Sequence, residues 1–136
     1  TSDWKCFKKS SVFMKIIYNR FLPFPGYTAV NLFGVLLVRR EHRRATGVKF
    51  RQMVTHETIH TKQMQEMGYI FFYIWYLVEW LIKCLWYFSP TKAYYAISFE
   101  REAYDKQWNA AYPSERRHFA WVKLLYVKNR KYSPIY

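Results

Sequence analysis

The stretch from Tyr69 to Phe88 constrains the fold of this chain more than any other part of the sequence. It contains no glycine or proline, only two charged side chains (Glu79 and Lys83), and Ser89-Pro90 follows it directly. A run of this length and apolarity predicts a single long helix. Such a helix is buried at the centre of a protein, lies on a membrane surface, or spans a bilayer.

The order of side chains within this stretch favours the first two alternatives. A semi-polar stripe recurs at helical spacing, formed by Tyr69, Tyr73, Tyr76, Glu79, Lys83 and Tyr87. Apolar residues lie largely opposite, namely Ile70, Phe71, Ile74, Leu77, Leu81 and Leu85. Glu79 and Lys83 also form an i,i+4 pair in the favourable order. We therefore expect a buried central helix or a membrane-surface helix, with a true span as the alternative.

Length and charge limit the class of protein. The chain has 136 residues, enough for one domain with its own core, and 51% of them are hydrophobic. Its net charge is +13, from 22 Lys and Arg against 9 Asp and Glu. This balance predicts attraction to anionic partners, including an anionic membrane surface, although basic clusters also serve as a solvated face. A nucleic-acid partner is not expected because no reader motif accompanies the charge.

The cysteines and the N-terminus bear on localisation. Cys6 and Cys84 have neither metal-type spacing nor the number needed for a disulfide framework, and no apolar signal segment follows the first lysines. We expect a cytoplasmic protein that is peripheral to the membrane if it meets one. Met14 opens a strand-like run, so residues 1–13 are a candidate dispensable leader within a single domain, 1–136.

The remaining elements predict the α+β class. Strands are expected at 13–18 and 29–38, with loop chemistry at 22–26 between them and a charged connection at 39–48. Helices are expected at 51–67, 69–88 and 92–112, and a fourth from an N-cap at Ser114 to about residue 127. The predicted architecture is a small N-terminal β-hairpin or sheet followed by a helical body.

A His-Glu-x-x-His motif carries the strongest chemical signal. His56 and His60 lie one helical turn apart on one face, so both imidazoles reach a single cation. Glu57 projects beside them, where its carboxylate takes a proton from water as a general base and passes it to a leaving amine. Zinc suits this chemistry. The alternative is a polar helix face that carries two histidines without a metal.

A second motif supplies a third candidate ligand through a family resemblance. Residues 98–104 read Ser-Phe-Glu-Arg-Glu-Ala-Tyr, and together with the histidine motif they resemble the gluzincins, zinc peptidases whose third ligand is a helical glutamate. The resemblance implies a zincin-like fold with Glu100 as that ligand. Tyr104 occupies the position where those families often carry an aspartate that supports a histidine ligand, and its hydroxyl or Asp105 is expected in that role. The chain also resembles a family of short, uncharacterised bacterial proteins with the same two-motif plan.

Helical geometry favours Glu100 over Glu102. The two glutamates are two residues apart, so they point to nearly opposite sides of a helix. Glu102 lies four residues before Lys106, the ordinary arrangement of a solvated surface, which leaves the Glu100 side to face inward. Three helices running up, down and up also place His56, His60 and Glu100 within about one turn in height.

The sequence thus predicts a zinc-dependent peptidase that acts on a peptide or protein substrate. Residues 29–38 are a candidate edge strand on which a substrate aligns by strand addition. His118 or a tyrosine is a candidate for stabilising the oxyanion. The alternative is a non-catalytic membrane-associated or interaction protein with a structural or relic His-Glu-x-x-His motif.

Overall fold

The computed structural model describes residues 15–21, 29–42 and 47–126. Within these ranges a small three-stranded sheet precedes a body of five α-helices, which confirms the predicted α+β class. The expected leader at 1–13 and the expected loop at 22–26 lie outside the described residues.

The sheet is built from β1 (Lys15–Asn19), β2 (Ala29–Leu32) and β3 (Val35–Arg39), in the order β1-β3-β2. β1 pairs parallel to β3, and β2 pairs antiparallel to it. The prediction of one strand over 29–38 is wrong, because this run is a hairpin. Phe33 and Gly34 both take positive φ, 52° and 86°, which gives the two-residue turn that suits the twist of the flanking strands.

The strand β3 is central, so only β2 and β1 have open edges among the described strands. Within 29–38, β2 is therefore the only strand at an edge of the described sheet, as the predicted substrate-pairing strand requires. Leu36 and Val38 of β3 are fully buried and pack with Val54 of the following helix. A short 3-10 turn (Arg40–His42) follows β3.

The helices are α1 (Val48–Met67), α2 (Tyr69–Tyr87), α3 (Pro90–Ala96), α4 (Ser98–Lys106) and α5 (Tyr112–Glu115), with a 3-10 helix at Ala120–Leu124. The first two agree with the predicted helices to within a few residues. Their boundaries follow the sequence signals, since Gly68 separates them and Ser89 caps the start of α3 through its side chain.

The predicted helix at 92–112 is wrong because the chain breaks at Ile97, where ψ is 133°. The Glu79 carboxylate accepts hydrogen bonds from the Ser98 backbone N–H at 2.8 Å and from the Ser98 hydroxyl at 2.7 Å, and α4 begins there. The predicted helix from Ser114 to 127 is also wrong. Ser114 lies inside α5, and the chain turns extended at Arg116, where ψ is 145°.

An aromatic core holds α1, α2 and α4 together. Its buried members are Met64, Phe72, Ile97, Phe99 and Trp121. The rings of Phe72 and Phe99 stack with centroids 4.6 Å apart, which fixes the spacing of α2 and α4.

Of the two alternatives expected for α2, the buried central helix is wrong, and the membrane-surface helix stays a prediction. The semi-polar stripe of α2 faces inward from Tyr73 to Lys83, and Glu79 is only 7% exposed, whereas Tyr69 and Tyr87 at the two ends are exposed. Lys83 pairs with Glu79 at 2.7 Å and also donates to the Ala96 carbonyl, so these partners hold the polar side against the protein. The apolar side faces outward. The helix has the length and mean hydropathy (1.3) of a membrane span, and 11% of its most apolar 18-residue stretch is buried.

Candidate metal centre

The helices α1 and α4 bring His56, His60 and Glu100 together, as predicted. The two histidine Nε2 atoms are 3.1 Å apart, and each is 3.2 Å from an oxygen of Glu100. All three side chains are buried. Ligand atoms of a tetrahedral zinc ion lie roughly 3.3 Å from one another, given bond lengths near 2.0–2.1 Å. The two Nε2 atoms have about this spacing, and His56 meets Oε2 of Glu100 whereas His60 meets Oε1. Each of the three residues offers one ligand atom within 4.8 Å of the other two.

The local sequence explains how this geometry is reached. His56 and His60 are i,i+4 on α1, and Glu100 lies in the first turn of α4. Ala103, one turn further along α4, is fully buried, so its small side chain allows α4 to approach closely.

The hydrogen bonds of Gln63 fix the protonation of His60. Gln63 donates from its amide nitrogen to the Phe99 carbonyl at 3.2 Å and to Glu102 at 2.8 Å. The Gln63 oxygen must then be the atom that faces His60 Nδ1, at 2.8 Å, so His60 Nδ1 is the donor. Its Nε2 is left facing the other candidate ligands.

His56 has the same arrangement. Its Nδ1 lies 3.0 Å from the side-chain oxygen of Gln107, and its Nε2 faces His60 and Glu100. Two imidazole nitrogens and a carboxylate therefore converge on one buried point, and such a cluster is stable only when a metal ion or a proton supplies positive charge there. This donor set, two imidazoles and one carboxylate, fits zinc.

The electrostatics of the site favour a positive charge. Burial lowers the pKa of His60, but Glu100, together with Glu57 and Gln63, outweighs burial and raises that pKa to about 9. Burial raises the pKa of Glu100, yet His60 and His56 outweigh it and hold that pKa well below its usual range. Without a metal, a proton supplies the positive charge at this point.

Tyr76 is a residue of the site that sequence reasoning did not single out. Its hydroxyl donates to Glu100 at 2.9 Å. Burial and the Glu100 charge both raise the pKa of Tyr76, so the phenol stays protonated and remains a donor. Its position in the inward stripe of α2 was the available signal.

Glu57 differs from the three candidate ligands. It is half-buried, and in the described part of the chain its carboxylate makes no hydrogen bond or ion pair. Its charge nevertheless contributes to raising the pKa of His60. Its backbone carbonyl accepts a hydrogen bond from the Asn31 side chain at 3.0 Å, and Asn31 also donates to Thr61 at 3.1 Å. The strand β2 is thereby attached to α1 at the motif.

The aromatic ring of Tyr104 lies beside the site. The ring centroid is 4.5 Å from that of His56, and the Tyr104 hydroxyl bonds to Tyr94. The side-chain oxygen of Gln107, a residue that sequence reasoning missed, accepts the hydrogen bond of His56 Nδ1 instead. Asp105 is exposed on α4. His118 is 89% exposed at its side chain and lies 3.4 Å from Glu66.

The expectation that Glu102 lies on a solvated surface is wrong, since Glu102 is 2% exposed. Arg116 donates to it from Nε at 2.7 Å and Nη2 at 3.0 Å, and the Tyr112 hydroxyl donates at 3.0 Å. Arg116 also pairs with Glu66. The paired arginine offsets the cost of burying the carboxylate. We call Gln63, Glu66, Glu102, Tyr112 and Arg116 the Glu102 network, which reaches His60 through Gln63.

A cavity of about 370 Å³ adjoins the site. Its lining is mainly aromatic and consists of Tyr76, Trp80, Pro90, Thr91, Tyr94 and Tyr95. Because Tyr76 both lines the cavity and donates to Glu100, the cavity and the candidate metal centre share a wall.

Comparison of the chain with protein-family models, curated proteins and solved structures finds no match. The residues themselves therefore carry the functional argument.

Proposed function

We propose that this protein is a zinc-dependent peptidase. The observation that carries the proposal is the convergence of His56, His60 and Glu100, three buried residues that each offer one ligand atom within 4.8 Å of the others. The Glu57 carboxylate beside them is unengaged within the described residues, as a general base requires.

Each residue has a distinct role in the proposed reaction. Zinc, when bound by His56, His60 and Glu100, would polarise the scissile carbonyl and bring the pKa of water near neutrality. Glu57 takes the proton from the attacking water and delivers it to the amine as the peptide bond breaks. Tyr76 holds Glu100 in place through its hydroxyl. For the oxyanion, a tyrosine beside the site is favoured over the exposed His118.

Two features of the fold support a peptide substrate. An extended peptide that pairs with the open edge of β2 passes close to Glu57, because Asn31 of β2 bonds the Glu57 carbonyl. The cavity beside Tyr76 suits an aromatic or large apolar side chain of that peptide.

Metal content and hydrolysis test the proposal together. We expect about one zinc per chain after expression in zinc-supplemented medium. Glu57→Gln should keep the zinc and abolish hydrolysis of a peptide library, whereas Glu115→Gln, the same change at an exposed position, should alter neither. Absence of any transition metal, or wild-type hydrolysis by the Glu57→Gln protein, would overturn the proposal.

The second candidate is a non-catalytic membrane-associated protein in which the motif is structural. The outward apolar side of α2 favours it. Zinc binding that stabilises the fold, with no hydrolysis of any peptide in the library, would support this candidate over the peptidase.

A further inference from the structure

The outward side of α2 is a continuous apolar surface. Its members, together with Phe88 directly after the helix, are between 49% and 91% exposed, and we call them the outer face: Ile70, Phe71, Ile74, Leu77, Val78, Leu81, Ile82, Leu85, Trp86 and Phe88. These residues cover about half of the helix circumference. No charged residue interrupts the outer face, since Glu79 and Lys83 both point the other way.

This arrangement is the reverse of a soluble surface helix, which turns its apolar side to the core and its polar side to water. Here the polar stripe is fixed inside by specific partners. Glu79 bonds Ser98, and Tyr76 bonds Glu100. Soluble monomers rarely expose apolar patches larger than a few hundred square ångströms. The outer face is therefore a surface that meets an apolar environment.

We propose that the outer face of α2 inserts into one leaflet of an anionic lipid bilayer, with α2 lying in the plane of the membrane. This inference does not depend on the proposed peptidase activity. The apolar half of the helix would contact acyl chains, and the rest of the protein would lie on the aqueous side.

The helices behind α2 exclude a span. Tyr76, near the middle of α2, bonds Glu100, so α1 and α4 lie at the depth of the middle of α2. Apart from Val48 at the start of α1, the exposed residues of these helices are polar or charged, namely Lys49, Arg51, Gln65, Asp105 and Lys106. In a spanning orientation these side chains would lie in hydrocarbon at a high cost in free energy. An in-plane orientation leaves them in water.

Charge favours anionic lipid over a second copy of the chain as the partner that covers the outer face. The net charge of +13 attracts anionic headgroups and repels another copy. Exposed basic residues also lie near α2. Lys92 is exposed just beyond the end of α2, and exposed Lys123 lies two residues after Trp121, whose ring contacts Trp75 of α2.

Flotation of the full chain with lipid vesicles tests this proposal. We expect binding to phosphatidylcholine vesicles that contain phosphatidylserine, and much weaker binding to phosphatidylcholine alone. Leu81→Glu should reduce the bound fraction at least about tenfold, because it places a charge among acyl chains. Gln65→Glu adds the same charge at an exposed position of α1 and should bind like the wild type. Brominated lipid should quench the fluorescence of the wild-type protein through Trp75 and Trp86.

Three outcomes would overturn the proposal. The first is equal vesicle binding by the wild-type and Leu81→Glu proteins. The second is a vesicle-free dimer that Leu81→Glu dissociates, which would give the outer face to a second copy. The third is retention of the protein in membranes after alkaline carbonate, which would indicate a span. Circular dichroism checks the fold of each variant, and the uncharged Leu85→Gln, at a position 75% exposed, provides a second test.

Discussion

Gln63 accepts a hydrogen bond from His60 at 2.8 Å, and this bond sets the tautomer of a candidate zinc ligand. Its amide nitrogen is held by Glu102 and the Phe99 carbonyl, so the side chain has no alternative orientation that keeps its partners. The Nε2 atom of His60 is consequently aimed at the metal position before any metal arrives. Such preorganisation raises metal affinity.

Substitution of Gln63 tests this role. Gln63→Leu should weaken zinc binding by about tenfold or more, because His60 loses the acceptor that orients its ring. Gln65→Leu, the same change at an exposed position two residues away, should leave the affinity unchanged. A competition titration with a chromophoric chelator measures both. Equal affinities in the two variants would show that Gln63 only fills space.

The Glu102 network predicts that substituting Glu102 makes the protein less stable. Glu102→Gln leaves the buried Arg116 with Glu66 as its remaining carboxylate and disturbs the bond to Gln63. We expect the free energy of unfolding to fall by about 3 kcal/mol, as for a buried ion pair that loses one partner. Urea denaturation measures the change, with Glu115→Gln as the exposed control. A Glu102→Gln protein as stable as the wild type would contradict the assigned network.

In the proposed site Glu100 binds the zinc directly, so its substitution should mainly affect zinc binding. Glu100→Gln should weaken zinc binding at least about tenfold. Chelator competition on this variant, with Glu115→Gln as control, provides the measurement. Wild-type affinity in Glu100→Gln would remove Glu100 from the ligand set and leave the two histidines alone.

The raised pKa of His60 predicts how the stability of the metal-free protein depends on pH. The folded-state pKa is about 9, above the ordinary value of 6.5, so protonated His60 stabilises the fold fully below pH 6.5. That stability, on the order of 3 kcal/mol, is lost as pH rises through 9. Thermal unfolding of chelator-treated protein should therefore show a lower midpoint at pH 10 than at pH 7, by several degrees.

Zinc provides the control for this pH effect. Zinc binding displaces the proton from His60. Saturating zinc should therefore remove the contribution of His60 to the fall in the unfolding midpoint between pH 7 and pH 10. A metal-free midpoint that stays constant or rises between pH 7 and pH 10 would contradict the assigned protonation of His60.

The part of the site that the sequence predicted is the part with local geometry. His56 and His60 share a face because helices repeat every 3.6 residues, whatever packs against them. The boundary at Gly68 was also a local signal. Glu100 was predicted from the resemblance and from its position relative to Glu102 on a helix, and the structure brings it to the histidines.

The parts that could not be predicted depend on distant contacts. Neither glycine nor proline marks the break at Ile97, because the cause is the Glu79 carboxylate on another helix. Glu102 has Lys106 at helical spacing, yet its partner is Arg116, which reaches it only because the chain turns back after α5. In contrast, the hairpin turn at Phe33-Gly34 did have a local signal, namely Gly34. The neighbouring residues favour strand so strongly that one continuous strand was predicted there instead.

The contact between Glu79 and Ser98 has a practical consequence. The backbone N–H at the start of α4 is satisfied by a side chain from α2, 19 residues earlier in the chain, and no side chain of α4 itself caps the helix. The helix that bears Glu100 is therefore defined by the assembled fold and not by its own nine residues. A peptide comprising residues 98–106 should be largely unstructured in water. Retained zinc would accordingly serve as a sensitive assay of whether a preparation of this protein is correctly folded.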